Sequence, residues 1–351
     1  MTQVKSDLVL YNDFISLEFR LAFGGTGFNL HQVTNEVDHH ENSYMHIIDH
    51  EHTSTSLPNP DGFIDGFEAE IVWAIIVCEK VKNITVIFRG SVNAMDWIKN
   101  TQVNMTDFVL PGFVTNNQKP GRSYGRVHEG FYKYLFGPTS RGTNGSIKSK
   151  AEEIIGILKG DFFDKKKYKD YNLFVTGHSL GGSLSTLFAT RAAALNEFDN
   201  MVTNVSFASP FVGNQEFRNE FYSLEMNKKI RHLRITNSQD CVPLIPCCTL
   251  PVPEFDTYKH VGMNIRLYAD DLFSPTYRRF YPKIGSVNIA LRNTINNNIV
   301  LGLSVGIIGK HLCPEYTKRL TNSKMEKDLK KITLDELYGN QDITGWSYVT
   351  C

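Results

Sequence analysis

Leu173-Phe174-Val175-Thr176-Gly177-His178-Ser179-Leu180-Gly181-Gly182 is the stretch that decides the fold. It opens on an apolar, partly β-branched run of strand length and passes into the pattern G-x-S-x-G over Gly177 to Gly181. Leu180 to Leu195 is rich in Leu and Ala and free of proline, which predicts a buried helix. A serine between such a strand and helix sits on a tight, strained turn where flanking side chains would clash, so both neighbours are glycine. The turn lifts the hydroxyl above the sheet, and the helix N-terminus aims amides at the same point. The pattern is weak alone; the strand before it and the helix after it supply the context it requires. A phosphate-binding loop is disfavoured because no Lys-Ser/Thr follows the glycines. Gly24-Gly25-Thr26-Gly27 follows no clear strand and reads as a turn.

Working outward, Ala69 to Cys78 and Ile84 to Phe88 read as two strands joined by a turn over Lys80 to Asn83. Val205 to Ala208 and Leu233 to Thr236 are further strands, and Ser149 to Leu158 an amphipathic helix. Strands alternating with helices predict a central, mostly parallel sheet flanked by helices. Residues 1 to 65 read as an irregular N-terminal cap with one helix, and residues 70 to 320 as the core of a single domain. Residues 99 to 127 read as a long linker, and loops of that length usually carry a function, such as a lid.

The 351 residues are 41% hydrophobic, and 37 basic residues balance 37 acidic ones. A neutral chain gives no electrostatic case for nucleic acid or an anionic membrane surface. The longest apolar stretch, Ile299 to Ile308, is about half the length of a spanning helix, so no transmembrane anchor is expected. The N-terminus has no basic start followed by an apolar region; without a visible signal peptide, a soluble chain inside the cell is expected rather than a secreted one. The six cysteines include no C-x-x-C pair. The histidines at 39, 40, 46, 50 and 52 match no metal motif and read as a polar surface, so neither metal nor organic cofactor is expected. Of four Asn-x-Ser/Thr sequons, Asn83 and Asn204 abut predicted core strands and argue little for secretion.

A nucleophilic serine needs a base, and the base an orienting carboxylate. On a sheet of this kind the acid follows the serine and the base follows the acid. Asp240, just past the Leu233 to Thr236 strand, is the best acid, with Asp256 its rival. Downstream histidines are His260 and His311, and spacing does not choose between them. His178, beside the serine, reads as structural because the strained turn points neighbouring side chains apart.

Five motifs occur in order: Phe88-Arg89-Gly90-Ser91, Val127 to Phe131, Gly177 to Gly182, Phe207 to Asn214 and Asn237 to Pro246. Together they resemble the class 3 lipases, the fungal-type triacylglycerol lipases and their relatives, over residues 70 to 320. The resemblance implies the α/β-hydrolase fold with a lid over the active site. It implies Ser179 as nucleophile, Asp240 as acid and His311, with Tyr316 shortly after it, as base. His260 matches a histidine that is not the base. Ser91 matches the oxyanion-hole position, which the backbone N–H of Leu180 would share. A lid begins near Val92, where Met95, Trp97 and Ile98 lie at roughly helical spacing. The interval from Ser91 to Ser179 is longer than in compact fungal members, and the first 65 residues match nothing in that family.

These readings imply a serine carboxylic-ester hydrolase, a lipase acting on acylglycerols at an interface, with no protein partner required. A phospholipase A-type enzyme, galactolipase or feruloyl esterase would use the same machinery. A lipase-like interaction protein without catalysis is the alternative of a different class.

Overall fold

The computed structural model describes residues 45–51, 73–78, 82–90, 104–110, 123–141, 147–164, 168–195, 198–246, 258–268, 277–280 and 309–320. Its centre is an eight-stranded sheet. In chain order the strands are β1 (Met45–Glu51), β2 (Trp73–Cys78), β3 (Asn83–Phe88), β8 (Asn172–His178), β9 (Val202–Phe207), β10 (Ile230–Asn237), β11 (Met263–Leu267) and β12 (Tyr277–Phe280), and they lie side by side in that order. β3, β8, β9, β10 and β11 pair in parallel, while β1, β2 and β12 pair antiparallel at the two sides. The predicted hairpin forms with Trp73 opposite Phe88 and Cys78 opposite Asn83.

Parallel strands covered on both faces need near-continuous burial, and β3 and β9 are buried at every position. The five α-helices among the described residues are α1 (Glu129–Phe136), α2 (Lys150–Ile157), α3 (Leu180–Ala194), α4 (Gln215–Met226) and α5 (Cys313–Leu320). α3 packs against β8, β9 and β3. It is buried from Gly181 to Ala193, as its even Leu/Ala composition predicts. Its buried hydroxyls bond back into the helix: Ser185 and Thr186 donate to the Gly182 carbonyl at 2.9 and 2.8 Å, and Thr190 donates to that of Thr186 at 2.6 Å. Ser149 begins α2 with a reciprocal capping box to Glu152.

Two expectations need correction. Part of the N-terminal segment read as irregular is strand β1, which extends the sheet beside β2. The segment read as a linker holds β4 (Met105–Val109) and nearly all of β5 (Ser123–His128), paired antiparallel, and β6 (Pro138–Arg141) and β7 (Ile147–Ser149) form a further antiparallel pair. Phe108 of β4 is fully buried, with ring contacts to Tyr124, Tyr132, Phe136 and Phe217. Phe108 is therefore core. Among the described residues no helix is long and apolar enough to cross a membrane.

Candidate active site

β8 ends at His178 and α3 begins at Leu180, so Ser179 alone makes the turn. Its backbone is left-handed, with φ 56° and ψ −123°. A non-glycine residue held there is strained, and the surroundings must over-determine it. Two bonds do so: the Ser179 N–H donates to the Phe207 carbonyl at 2.9 Å, and the Ser179 carbonyl accepts from the Gly182 N–H at 3.0 Å. The flanking glycines are sterically required. A Cβ at Gly177 would stand 2.4 Å from the Gly181 backbone, and one at Gly181 would stand 2.1 Å from the Phe88 carbonyl oxygen. The same close approach brings the end of β3, which leads toward Ser91, against the turn. Leu180 is the first residue of α3, so its N–H has no partner within the helix and is free to meet an anion.

Ser179, Asp240 and His311 come together. The Ser179 hydroxyl lies 2.9 Å from His311 Nε2, and His311 Nδ1 lies 3.1 and 3.2 Å from the two Asp240 oxygens. An ionised carboxylate only accepts, so the imidazole proton sits on Nδ1 and the serine hydroxyl donates to Nε2. All three residues are buried, with 2 to 5% of their surface exposed. Asp240 follows β10, the strand whose end was expected to present it. Its Oδ1 accepts from the Val242 N–H at 3.0 Å and its Oδ2 from the Tyr316 hydroxyl at 2.7 Å. Tyr316 in turn accepts from the Asn237 N–H at 2.9 Å. Burial, followed by the adjacent Asp240 charge, raises the Tyr316 pKa well above its usual 10, so the phenol stays a donor.

His311 sits on a short helical turn just before α5, and α5 is bound to the sheet by hydrogen bonds, with ion pairs within the helix and to the turn before it. Arg319 donates to the Ser238 and Leu267 carbonyls and pairs with Glu315, which also pairs with Lys310. Asn237 donates from Nδ2 to the Lys310 carbonyl at 2.9 Å. His178 donates from Nε2 to the His311 carbonyl at 2.8 Å, and burial above all depresses its pKa far below 6.5, leaving it neutral. The sequence marked Tyr316 through the family resemblance. Asn237 opens one of the five motifs without a role of its own, and the sequence carries no signal for Arg319 or for a contact between His178 and the base.

His260 does not join the constellation. Its Nε2 donates to the Pro243 carbonyl at 2.6 Å and its ring stacks on Phe211 at 3.8 Å, bracing the loop that follows Asp240. The Val127 to Phe131 and Phe207 to Asn214 motifs resolve into helix starts. His128 caps α1 by accepting from the Phe131 N–H, and Asn214 caps α4 by accepting from the Phe217 N–H. Ser91, the lid candidates Met95, Trp97 and Ile98, and the rival acid Asp256 lie outside the described residues. Among the described residues no group of three or more His, Cys, Asp or Glu side chains could hold a metal ion.

A serine on a strand-to-helix turn, facing a histidine and a carboxylate from later loops of a mostly parallel sheet, defines the α/β-hydrolase class. Residues 85–250 match the model of the lipase (class 3) family, which bears out the resemblance carried by the motifs; His311 lies beyond the matched segment. Phospholipase A1-IIgamma of Arabidopsis thaliana is 29% identical over 174 residues, covering 47% of this chain and 39% of that protein. Phospholipase A1-II 4 of Oryza sativa subsp. japonica is 34% identical over 169 residues, covering 47% and 40%. The chain thus spans about two fifths of the length of these curated relatives. Among solved structures, the Lip2 lipase from Yarrowia lipolytica superposes with a TM-score of 0.58 at 21% identity, covering 88% of this chain and 92% of that one. Lipase II from Rhizopus niveus superposes with a TM-score of 0.54 at 16% identity, covering 88% and 94%. At these identities the superpositions speak for the α/β-hydrolase fold.

Proposed function

We propose that this protein hydrolyses carboxylic esters of lipids through a covalent acyl-enzyme, with Ser179 as nucleophile, His311 as base and Asp240 as its orienting acid. The observation that carries the reading is the unbroken chain from the Ser179 hydroxyl through His311 to Asp240. As Ser179 Oγ attacks the ester carbonyl carbon, its proton passes to His311 Nε2 and the carbonyl π pair moves to oxygen. Asp240 holds the Nδ1 tautomer and stabilises the imidazolium. The oxyanion takes the Leu180 N–H and, in this proposal, the backbone N–H and hydroxyl of Ser91; one such donor is worth about 10²–10³ in turnover. Collapse of the intermediate returns the π pair, expels the alkoxide and gives it the His311 proton. Water, deprotonated by the same histidine, then releases the acid.

Acylglycerols are the proposed substrates. A second reading, hydrolysis of phospholipid acyl esters, is favoured by the two curated relatives, both named as phospholipases A1. The segment from Val92, with Met95, Trp97 and Ile98, is proposed as a lid that exposes apolar side chains only at a lipid interface, since water disfavours a large open apolar patch. A non-catalytic role is disfavoured because all three members of the triad are present and in hydrogen-bonded register.

The test is a substrate panel of triacylglycerol, phosphatidylcholine, galactolipid and p-nitrophenyl butyrate, run beside Ser179→Ala. Fatty acid release from a lipid ester that vanishes in Ser179→Ala is the expected result. Undiminished hydrolysis in that variant, or no ester turnover by the parent, contradicts the reading.

A further inference from the structure

Two consecutive carbonyls, those of Lys310 and His311, hang from the ends of two different strands. Asn237, the last residue of β10, donates to the first at 2.9 Å, and His178, the last residue of β8, donates to the second at 2.8 Å. A carbonyl only accepts, so His178 must carry its proton on Nε2 to make this bond. The His178 ring is buried 4.7 Å from the His311 ring at an interplanar angle of 37°, and 5.7 Å from the Tyr316 ring at 83°.

This arrangement answers a geometric need that Asp240 leaves open. Asp240 fixes His311 Nδ1, yet the imidazole can still rotate about the line from Nδ1 to the carboxylate. Such rotation carries Nε2 off the Ser179 hydroxyl. Holding the His311 carbonyl fixes the backbone from which the ring hangs, and a flat ring beside it narrows the rotation. We propose that His178 is a positioning residue for His311: it sets the backbone and the ring plane so that Nε2 stays aimed at Ser179. The proposal rests on the reading of His311 as the base.

The charges around His311 agree with this role. It faces the Asp240 carboxylate, the Ser179 hydroxyl and the His178 ring, and the protonated Tyr316 phenol donates to that same carboxylate. A charged His178 would oppose the imidazolium that His311 becomes during attack, and burial keeps it neutral. The residue ahead of the nucleophile therefore has a task of its own. The elbow fixes its place at the end of β8, where a side chain of this length reaches the later segment that carries the base.

The experiment compares His178→Phe, His178→Gln and His178→Asn on a soluble short-chain ester, with thermal midpoints measured in parallel. Phenylalanine keeps a flat ring and removes the donor. Glutamine keeps a donor at the position of Nε2, and asparagine's amide is too short to reach it. Misplacing a catalytic group by about 1 Å costs about 10²-fold, so His178→Phe is expected to lose on the order of tenfold in kcat with KM nearly unchanged. His178→Gln should recover most of that loss and His178→Asn should not. Should His178→Phe fail to fold, the Gln–Asn contrast carries the test alone. Equal kcat in Gln and Asn, or a loss seen in KM only, overturns the proposal. Fluorophosphonate labelling of the parent separates the two levels: an unlabelled parent removes the triad reading and this inference together, while a labelled parent with indifferent His178 variants removes only the inference.

Discussion

Replacing Tyr316 with phenylalanine removes one oxygen from the centre of the site and leaves the ring in place. The hydroxyl donates to Asp240 Oδ2 at 2.7 Å and accepts from the Asn237 N–H at 2.9 Å, and the residue is fully buried. A hydrogen bond to a charged group is worth about 1.5–3 kcal/mol, and a buried N–H left without an acceptor costs about 1–3 kcal/mol. The sum, about 2.5–6 kcal/mol, corresponds to a fall of roughly 5–12 °C in melting temperature at about 2 °C per kcal/mol for a chain this large. Asp240 keeps the Val242 N–H and His311, so turnover should drop by on the order of tenfold rather than vanish. The pH dependence has a definite sign. The folded state raises the Tyr316 pKa above 10 and so binds this proton more tightly than the unfolded chain. Its contribution is full below pH 10 and is lost as pH climbs through the folded value. Differential scanning calorimetry from pH 7 to 11 should thus show the parent's alkaline decline weakened in Tyr316→Phe. A melting temperature within about 1 °C of the parent, with unchanged turnover, would refute the reasoning.

Two further outcomes rest on the structure and a third on the proposed lid. His178 and His232 are buried and His260 is half-buried, and all three have pKa values held well below 6.5, chiefly by desolvation, so their contribution is full above pH 6.5 and is lost as pH falls below it. Each then costs about 1.4 kcal/mol per pH unit; His260→Gln should flatten the acid limb of a denaturation-against-pH curve while sparing kcat, and an unchanged limb counts against it. Gly181→Ala puts a methyl 2.1 Å from the Phe88 carbonyl oxygen and 2.9 Å from the Arg89 carbonyl carbon, backbone atoms that cannot rotate away. It should cost about 3 kcal/mol in urea unfolding and abolish turnover, and a parent-like variant would contradict the steric account of the turn. Trp97→Asp should blunt any faster-than-linear rise in hydrolysis as a long-chain ester passes its solubility limit and leave a soluble ester untouched; equal losses on both would remove the lid.

What the sequence disclosed, and what it hid, follows from the range of the forces involved. The turn at Ser179 is legible because its requirement is local sterics, met by Gly177 and Gly181. β9 reads short in the sequence because Thr203, Asn204 and Ser206 look polar. They are buried with bonds that only the fold supplies, Asn204 to Thr186 and Ser206 to His232 among them. β4 and β5 were read as linker because the burial of Phe108 depends partly on Phe217, from α4, far along the chain. The residues alone left His260 and His311 tied, since only tertiary structure decides which ring reaches Asp240. The anchoring roles of Asn237 and Arg319 are not legible because their partners include backbone carbonyls, which carry no sequence signature.

The central claim is that Ser179 is activated by His311. The most direct measurement treats the purified protein with a fluorophosphonate probe at neutral pH and maps the adduct by tandem mass spectrometry, beside His311→Ala. The account predicts a single adduct on Ser179, formed on the order of 10³-fold or more slowly in His311→Ala. An unmodified Ser179 in the folded parent, or labelling at the parent's rate without His311, would contradict it.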